Sequence, residues 1–199
     1  MKRTFVTLIA TLLIALVLSS CSQAVHEFPV LPITTTPASS TPIVFSTYNG
    51  NGFAIPYPAS WGTIPLKTTG SYRSGVVLFQ DLQQGTVIAY FLITEEHLSQ
   101  KVSVEDYFAF QRAQLPSNYS EYTPIGTSNI TVDGNEAIEH TWSYTNSNSN
   151  KSLSVEEYHL LVCTVEGETA WSFEADSIFL DDYMSTLNTM IAGFHTLNQ

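Results

Sequence analysis

Basic residues and cysteines are scarce in this chain. Seven lysines and arginines stand against eighteen aspartates and glutamates in 199 residues, for a formal net charge of −11. A surface of that sign repels phosphate backbones and anionic headgroups, which argues against nucleic acid as a partner and against membrane attachment through a basic patch. Beyond the first twenty residues there is no apolar run approaching the roughly 20 residues that a membrane-spanning helix needs. No Gly-x-Ser-x-Gly elbow marks a hydrolase nucleophile, and no stretch has the alternating oxygens and glycine of a calcium loop. The acidic residues come as adjacent pairs, Glu95-Glu96, Glu105-Asp106, Glu156-Glu157 and Asp181-Asp182. Neighbours on a strand point to opposite faces, and acids at a helix start favour its dipole, so these pairs read as solvated charge.

What is present at the beginning is an export signal. Lys2 and Arg3 precede an apolar run from Phe5 to Leu18 that only Thr7 and Thr11 interrupt, and at about fourteen residues it is too short to span a bilayer. The string Leu18-Ser19-Ser20-Cys21 resembles the bacterial lipobox, which implies acylation of the Cys21 thiol and removal of residues 1–20. Ser22 stands where some Gram-negative lipoproteins carry a retaining aspartate. Cleavage removes Lys2 and Arg3 with no acid, taking the net charge from −11 to −13. Lipidation of Cys21 leaves Cys163 alone, so no intrachain disulfide is expected. Residues 21–45 contain the Ser/Thr/Pro stretch Thr34 to Pro42 and read as a tether between a lipid-anchored end and a single domain over 46–199. This places the domain on the extracytoplasmic side of a bacterial envelope membrane.

The domain alternates strand and helix signals. Strands are predicted at Phe53–Pro56, Val76–Leu82, Thr86–Thr94, Ile125–Val132, Glu136–Tyr144, Leu153–Val165 and Glu168–Ala175. Ser103 is positioned to cap a helix running to Leu115, with Pro116 as its stop, and a second helix is predicted over Asp181–Ala192, ended by Gly193. With Glu166-Gly167 as a two-residue turn, Trp171 faces Val162 and Phe173 faces Leu160, while Cys163 and Leu161 share the other face with Ala170 and Ser172. Both faces are then apolar and both need a cover. The expected fold is α+β, a largely antiparallel sheet between helices, with the closing helix stripe Tyr183, Leu187, Met190, Ile191 and Phe194 over Cys163.

The segment Gly52-Phe53-Ala54-Ile55-Pro56-Tyr57-Pro58-Ala59-Ser60-Trp61 resembles the opening of PsbP-like domains. So do the helix start Ser103-Val104-Glu105-Asp106-Tyr107, the turn Val132-Asp133-Gly134-Asn135-Glu136-Ala137 and the close Met190-Ile191-Ala192-Gly193-Phe194. The resemblance covers about residues 50–195 and implies the PsbP-like α/β/α sandwich. Plant and cyanobacterial members assist photosystem II, while many bacterial lipoproteins of this kind have no assigned activity. Gly193 departs from the serine often found before the final Phe. The resemblance supplies no catalytic, metal or cofactor residues.

One residue and one hairpin remain as candidate sites. Cys163, mid-strand among Leu161, Val162 and Val165, reads as an inert core thiol. If the long hairpin turns between Asn148 and Ser149, His140 lies opposite Glu157 and His159 opposite Ile138, bringing His140, Glu157 and His159 onto one face. Two imidazoles and a carboxylate are a zinc ligand set; the plainer alternative is a His–Glu hydrogen bond at a sheet edge. Asn118, Asn129 and Asn150 fit the glycosylation pattern but read as loop residues in a bacterial lipoprotein. The preferred function is a non-enzymatic binding or assembly module for a protein or envelope partner, with no cofactor. A small hydrolase or metal enzyme using His140 and His159, and a small-ligand receptor, are the alternatives. An enzyme should converge several polar groups in one pocket, and a binding module should expose an apolar patch.

Overall fold

A computed structural model describes residues 42–50, 52–66, 73–147 and 154–197, all within one compact unit, Pro42–Gln199. The export signal, Cys21, most of the tether, the turn at Asn148 and the sequon at Asn150 lie outside the described residues. Among the described residues, ten strands and two helices follow in order: β1 Phe45–Asn49, β2 Phe53–Pro58, β3 Gly62–Pro65, β4 Arg73–Gln83, β5 Thr86–His97, α1 Val104–Asn118, β6 Thr123–Val132, β7 Asn135–Ser147, β8 Ser154–Glu166, β9 Thr169–Ser177, α2 Leu180–Ala192 and β10 His195–Thr196. A seven-stranded antiparallel sheet has the order β3-β4-β5-β9-β8-β7-β6, and a three-stranded one the order β1-β2-β10. Strands β1, β3 and β10 have no counterpart among the predicted elements, and β1 begins at the last residue assigned to the tether.

Tight turns fix the registers. Gln84 and Gly85, and again Asp133 and Gly134, take positive φ, as type I′ hairpins require at both central positions. The β8–β9 turn is Gly167-Glu168, with Glu166 paired to Thr169, rather than Glu166-Gly167; Gly167 supplies the positive φ of 64°. Phe173 therefore faces Val162, and Trp171 faces Thr164. This corrects the expected pairing by two residues. An even shift leaves every side chain on its expected face.

Those faces are covered separately. Leu160, Val162, Trp171, Phe173 and Ala175 pack with Phe53 and Ile55 of the small sheet and with Leu187, Met190 and Ile191 of α2. Leu161, Cys163 and Ala170 pack instead with Val104, Tyr107, Phe108 and Leu115 of α1. The cover over Cys163 is therefore α1, not the closing helix. Ser103 caps α1, its Oγ accepting from the Asp106 amide at 3.1 Å. Pro116 does not stop the helix, which continues to Asn118. In the last turn a proline forfeits only its own amide bond, and the Tyr119 N–H still reaches the Leu115 carbonyl at 2.9 Å. Gly193 closes α2 with φ −94°, so no left-handed cap demands glycine. A Cβ there would lie 2.4 Å from Pro56 Cγ, and close approach to β2 is the reason for the missing side chain.

Cys163 has no exposed surface. A thiol under that cover should react with an aromatic disulfide reagent only as the domain unfolds, at native rates at least about a hundredfold below those in denaturant. Rapid stoichiometric labelling of the native chain would show that α1 does not shield this face.

Candidate functional site

The β7–β8 ladder places His140 opposite Leu161, Trp142 opposite His159 and Tyr144 opposite Glu157. The expected pairing of His140 with Glu157 and His159 with Ile138 is thus off by four residues, in line with the pairing of Ser147 with Ser154 where the ladder ends. Being even, the shift keeps His140, Glu157 and His159 on one face, but it inserts Trp142 between the imidazoles. The indole stacks on His159 at 4.3 Å and 16° and on His140 at 5.4 Å and 22°. Among the described residues, no group of three His, Cys, Asp or Glu side chains is placed to hold a metal ion.

His140 is committed to structure. Its Nδ1 lies 2.7 Å from the Gly126 carbonyl and 2.8 Å from Thr127 Oγ1, and its Nε2 lies 2.7 Å from the Tyr122 hydroxyl. A carbonyl only accepts, so Nδ1 carries the proton and Nε2 accepts from Tyr122. Burial holds the His140 pKa below the ordinary histidine value, helped by the Arg112 charge and partly offset by the Gly126 contact.

His159 belongs to a row that crosses four strands. Tyr90 of β5, Asp176 of β9, His159 of β8 and Trp142 of β7 are consecutive cross-strand partners. Tyr119, at the end of α1, sets its ring against both Trp142 and His159, at 5.5 and 5.3 Å. His159 is 1% exposed, and neither ring nitrogen has a hydrogen-bond partner; Nδ1 stands 3.7 Å from Asp176 Oδ2. That Oδ2 accepts from Tyr144 at 2.6 Å and from Tyr90 at 3.4 Å. The Tyr144 hydroxyl also lies 2.6 Å from Glu157 Oε2, and Asn146 donates to Glu157 Oε1 at 2.9 Å. One hydroxyl carries one proton, so Tyr144 cannot satisfy both carboxylates as a donor. Burial first, and then the neighbouring acids, hold the Tyr144 and Tyr90 phenols well above their ordinary pKa, and both remain protonated.

These acids border a cleft of about 540 Å³, whose walls include Val87, Tyr90, Val155, Glu157, Asp176 and Ile178. Val87, Val155 and Ile178 are each more than two-fifths exposed, giving an aliphatic rim above an acidic floor. Ser177 also borders the cleft, but its Oγ donates to the Ile88 carbonyl at 3.0 Å and accepts from the Phe179 amide at 2.9 Å. Both of these partners are backbone groups. Asp176, Tyr90 and Tyr144 were not among the residues singled out from sequence, and the predicted last strand stops at Ala175, one residue short of Asp176.

Solved structures carry the same arrangement of elements. The chain aligns with cyanobacterial PsbP (CyanoP) from Synechocystis sp. PCC 6803 with a TM-score of 0.56, covering 80% of this chain and 96% of that one at 14% identity. The fold is PsbP-like. LpqN of Mycobacterium tuberculosis, a protein involved in cell envelope biogenesis, aligns with a TM-score of 0.52 over 79% of this chain and 93% of its own at 13% identity. The Saccharomyces cerevisiae Ran-binding protein Mog1p aligns with a TM-score of 0.52, covering 79% and 97% at 9% identity. No family model matches the sequence, and no curated protein matches it. At these identities the likeness concerns the PsbP-like fold alone. Its marks fall where the fold closes: Phe53 of the opening segment stacks on Phe194 of the closing one at 5.6 Å.

The buried His140 gives a pH dependence of known sign. Above the unfolded value of 6.5 both states are neutral and the full stability is present. Below it the unfolded chain binds a proton that the folded site refuses. Stability then falls by up to about 1.4 kcal/mol per pH unit from this residue, until the lowered folded pKa is reached. Urea unfolding at pH 7.5, 6.0 and 5.0 should show a steeper acid loss for the native chain than for His140→Gln. Parallel slopes would mean that His140 is charged in the folded protein.

Proposed function

We propose that this chain is an extracytoplasmic lipoprotein, acylated at Cys21, whose domain works as a non-enzymatic binding module for a protein of the cell envelope. The observation that carries the binding role is the cleft at the end of the sheet, where an exposed aliphatic rim of Val87, Val155 and Ile178 borders the buried Asp176 and the half-buried Glu157. Exposed apolar surface of this kind marks interaction sites. Two of the groups that catalysis would need are engaged elsewhere. His140 has its nitrogens taken up by Gly126 and Tyr122, and Ser177 is bound to backbone on both sides. Two proteins of like fold are described by binding or envelope work, Mog1p by Ran binding and LpqN by cell envelope biogenesis, which supports a module of this kind without naming its partner. The anchor rests on the lipobox string Leu18-Ser19-Ser20-Cys21. No helix among the described residues is long and apolar enough to cross a membrane, so the acyl chains are the proposed attachment.

One experiment addresses both parts. A photo-crosslinking amino acid is placed at Val155, or at the exposed control Glu136, in the full chain expressed in its host, with and without Cys21→Ala. The expected result is a discrete adduct from position 155 and none from 136, with the chain in the membrane fraction until Cys21→Ala releases it. Membrane retention of the Cys21→Ala chain after a salt wash would defeat the lipid anchor. Absence of any adduct at 155 would defeat the protein partner.

A further inference from the structure

The floor and the rim of the cleft call for different things from an occupant. On the floor, Glu157 and Asp176 each place an oxygen 2.6 Å from the same Tyr144 hydroxyl, so the two carboxylates are no farther apart than those two contacts together. Among the described residues neither carboxylate has a lysine or arginine partner. Asp176 is 8% exposed, and its Oδ1 has no hydrogen-bond partner. A buried carboxylate oxygen without a donor is costly, and a cation delivered to it recovers that cost. On the rim, Val87, Val155 and Ile178 present aliphatic surface, which a bare metal ion or a small hydrated cation would not use.

We propose that the cleft takes a lysine or arginine side chain from a partner protein's extended segment, with aliphatic neighbours in that segment packing on Val87, Val155 and Ile178. The proposal rests on the binding-module role of the same cleft and specifies the chemistry of its partner. A basic side chain suits both surfaces at once, since its methylene stem lies along apolar groups while its charged head reaches the acids. It also carries several donors, whereas among the described residues the two carboxylates accept hydrogen bonds only from Tyr144, Tyr90 and Asn146. The net charge of −11 draws such a segment in from a distance.

The test uses the full chain purified in detergent and three fluorescein-labelled peptides that differ only at the centre, with lysine, arginine or glutamine between two leucines. Fluorescence anisotropy should show the lysine and arginine peptides binding at least about tenfold more tightly than the glutamine peptide, as expected for a close charge pair out of water. Glu157→Gln should remove most of that preference. Val155→Ser should weaken the lysine and glutamine peptides alike, because it touches only the rim. Circular dichroism establishes that each variant is folded; Glu157 and Val155 are far enough exposed that neither change removes a core contact. Equal binding of the lysine and glutamine peptides would overturn the proposal. So would a lysine preference that survives both Glu157→Gln and Asp176→Asn in folded protein. A discrete crosslink at Val155 combined with no preference for a basic centre would leave the binding module standing and remove the basic partner.

Discussion

Four consecutive side chains of β8, Leu160, Leu161, Val162 and Cys163, are at most 3% exposed. Consecutive strand residues point to opposite faces, so this strand and its neighbours must be dry on both sides. Each side gains a cover by a different route. On the face of Leu160 and Val162, α2 and the small sheet share the work, with Phe194 and Phe53 closing the joint against Trp171. On the face of Leu161 and Cys163, α1 is the helix in contact. The two-sided burial also sets a strict parity on every hairpin, because a slip of one residue would turn the apolar set of β8 or β9 toward the wrong cover.

The length of α1 then decides where polar groups can sit. Its 15 residues span about 22 Å, while a strand such as β8, with 13 residues, runs for about 43 Å. The burial of alternate β8 residues follows from that mismatch. Cys163 and Leu161 lie beneath the helix and His159 beneath Tyr119, Glu157 is half-buried, and Val155 is exposed. The cleft is what remains of this face beyond the end of its helical cover. Polar residues are tolerated there because Tyr90, Tyr144 and Asn146 supply donors, and the aliphatic Val87, Val155 and Ile178 each keep about two-fifths of their surface exposed.

Parity also explains how much could be read from the residues alone. Both hairpin registers were displaced, one by two residues and the other by four, yet each expected face is the observed one, since apolar alternation fixes the face and only the turn fixes the partner. Gly167 shows the difference: the Glu-Gly-Glu sequence marks a turn, but whether Gly167 is its first or second central residue depends on backbone angles. The Ser103 cap was legible because its side chain acts locally. The tolerance of Pro116 was not, because it depends on where the helix happens to end. At the site, His140, Glu157 and His159 were correctly grouped on one face. The indole of Trp142 between them follows only from the true register, and the Asp176–Tyr90 pairing only from strand order, which no local pattern encodes.

The acids at the cleft are hard to explain as architecture alone. Tyr144 has one proton for two carboxylate oxygens at 2.6 Å each, and His159 leaves both nitrogens unused beside Asp176. A core built solely for stability would replace such groups with apolar residues of similar volume, often without loss. The surrounding sheet already supplies a dry aromatic and aliphatic interior, so stability does not require acids here. Catalysis would need, in addition, a nucleophile or a free base within reach of bound substrate; Ser177 is held by backbone contacts on both sides, and His159 lies beneath Trp142 and Tyr119 at 1% exposure. What an under-satisfied acid pair beside an exposed aliphatic rim does provide is preorganisation. Its oxygens are fixed by tyrosines before anything arrives, so an occupant carrying donors meets acceptors that do not have to be ordered on binding.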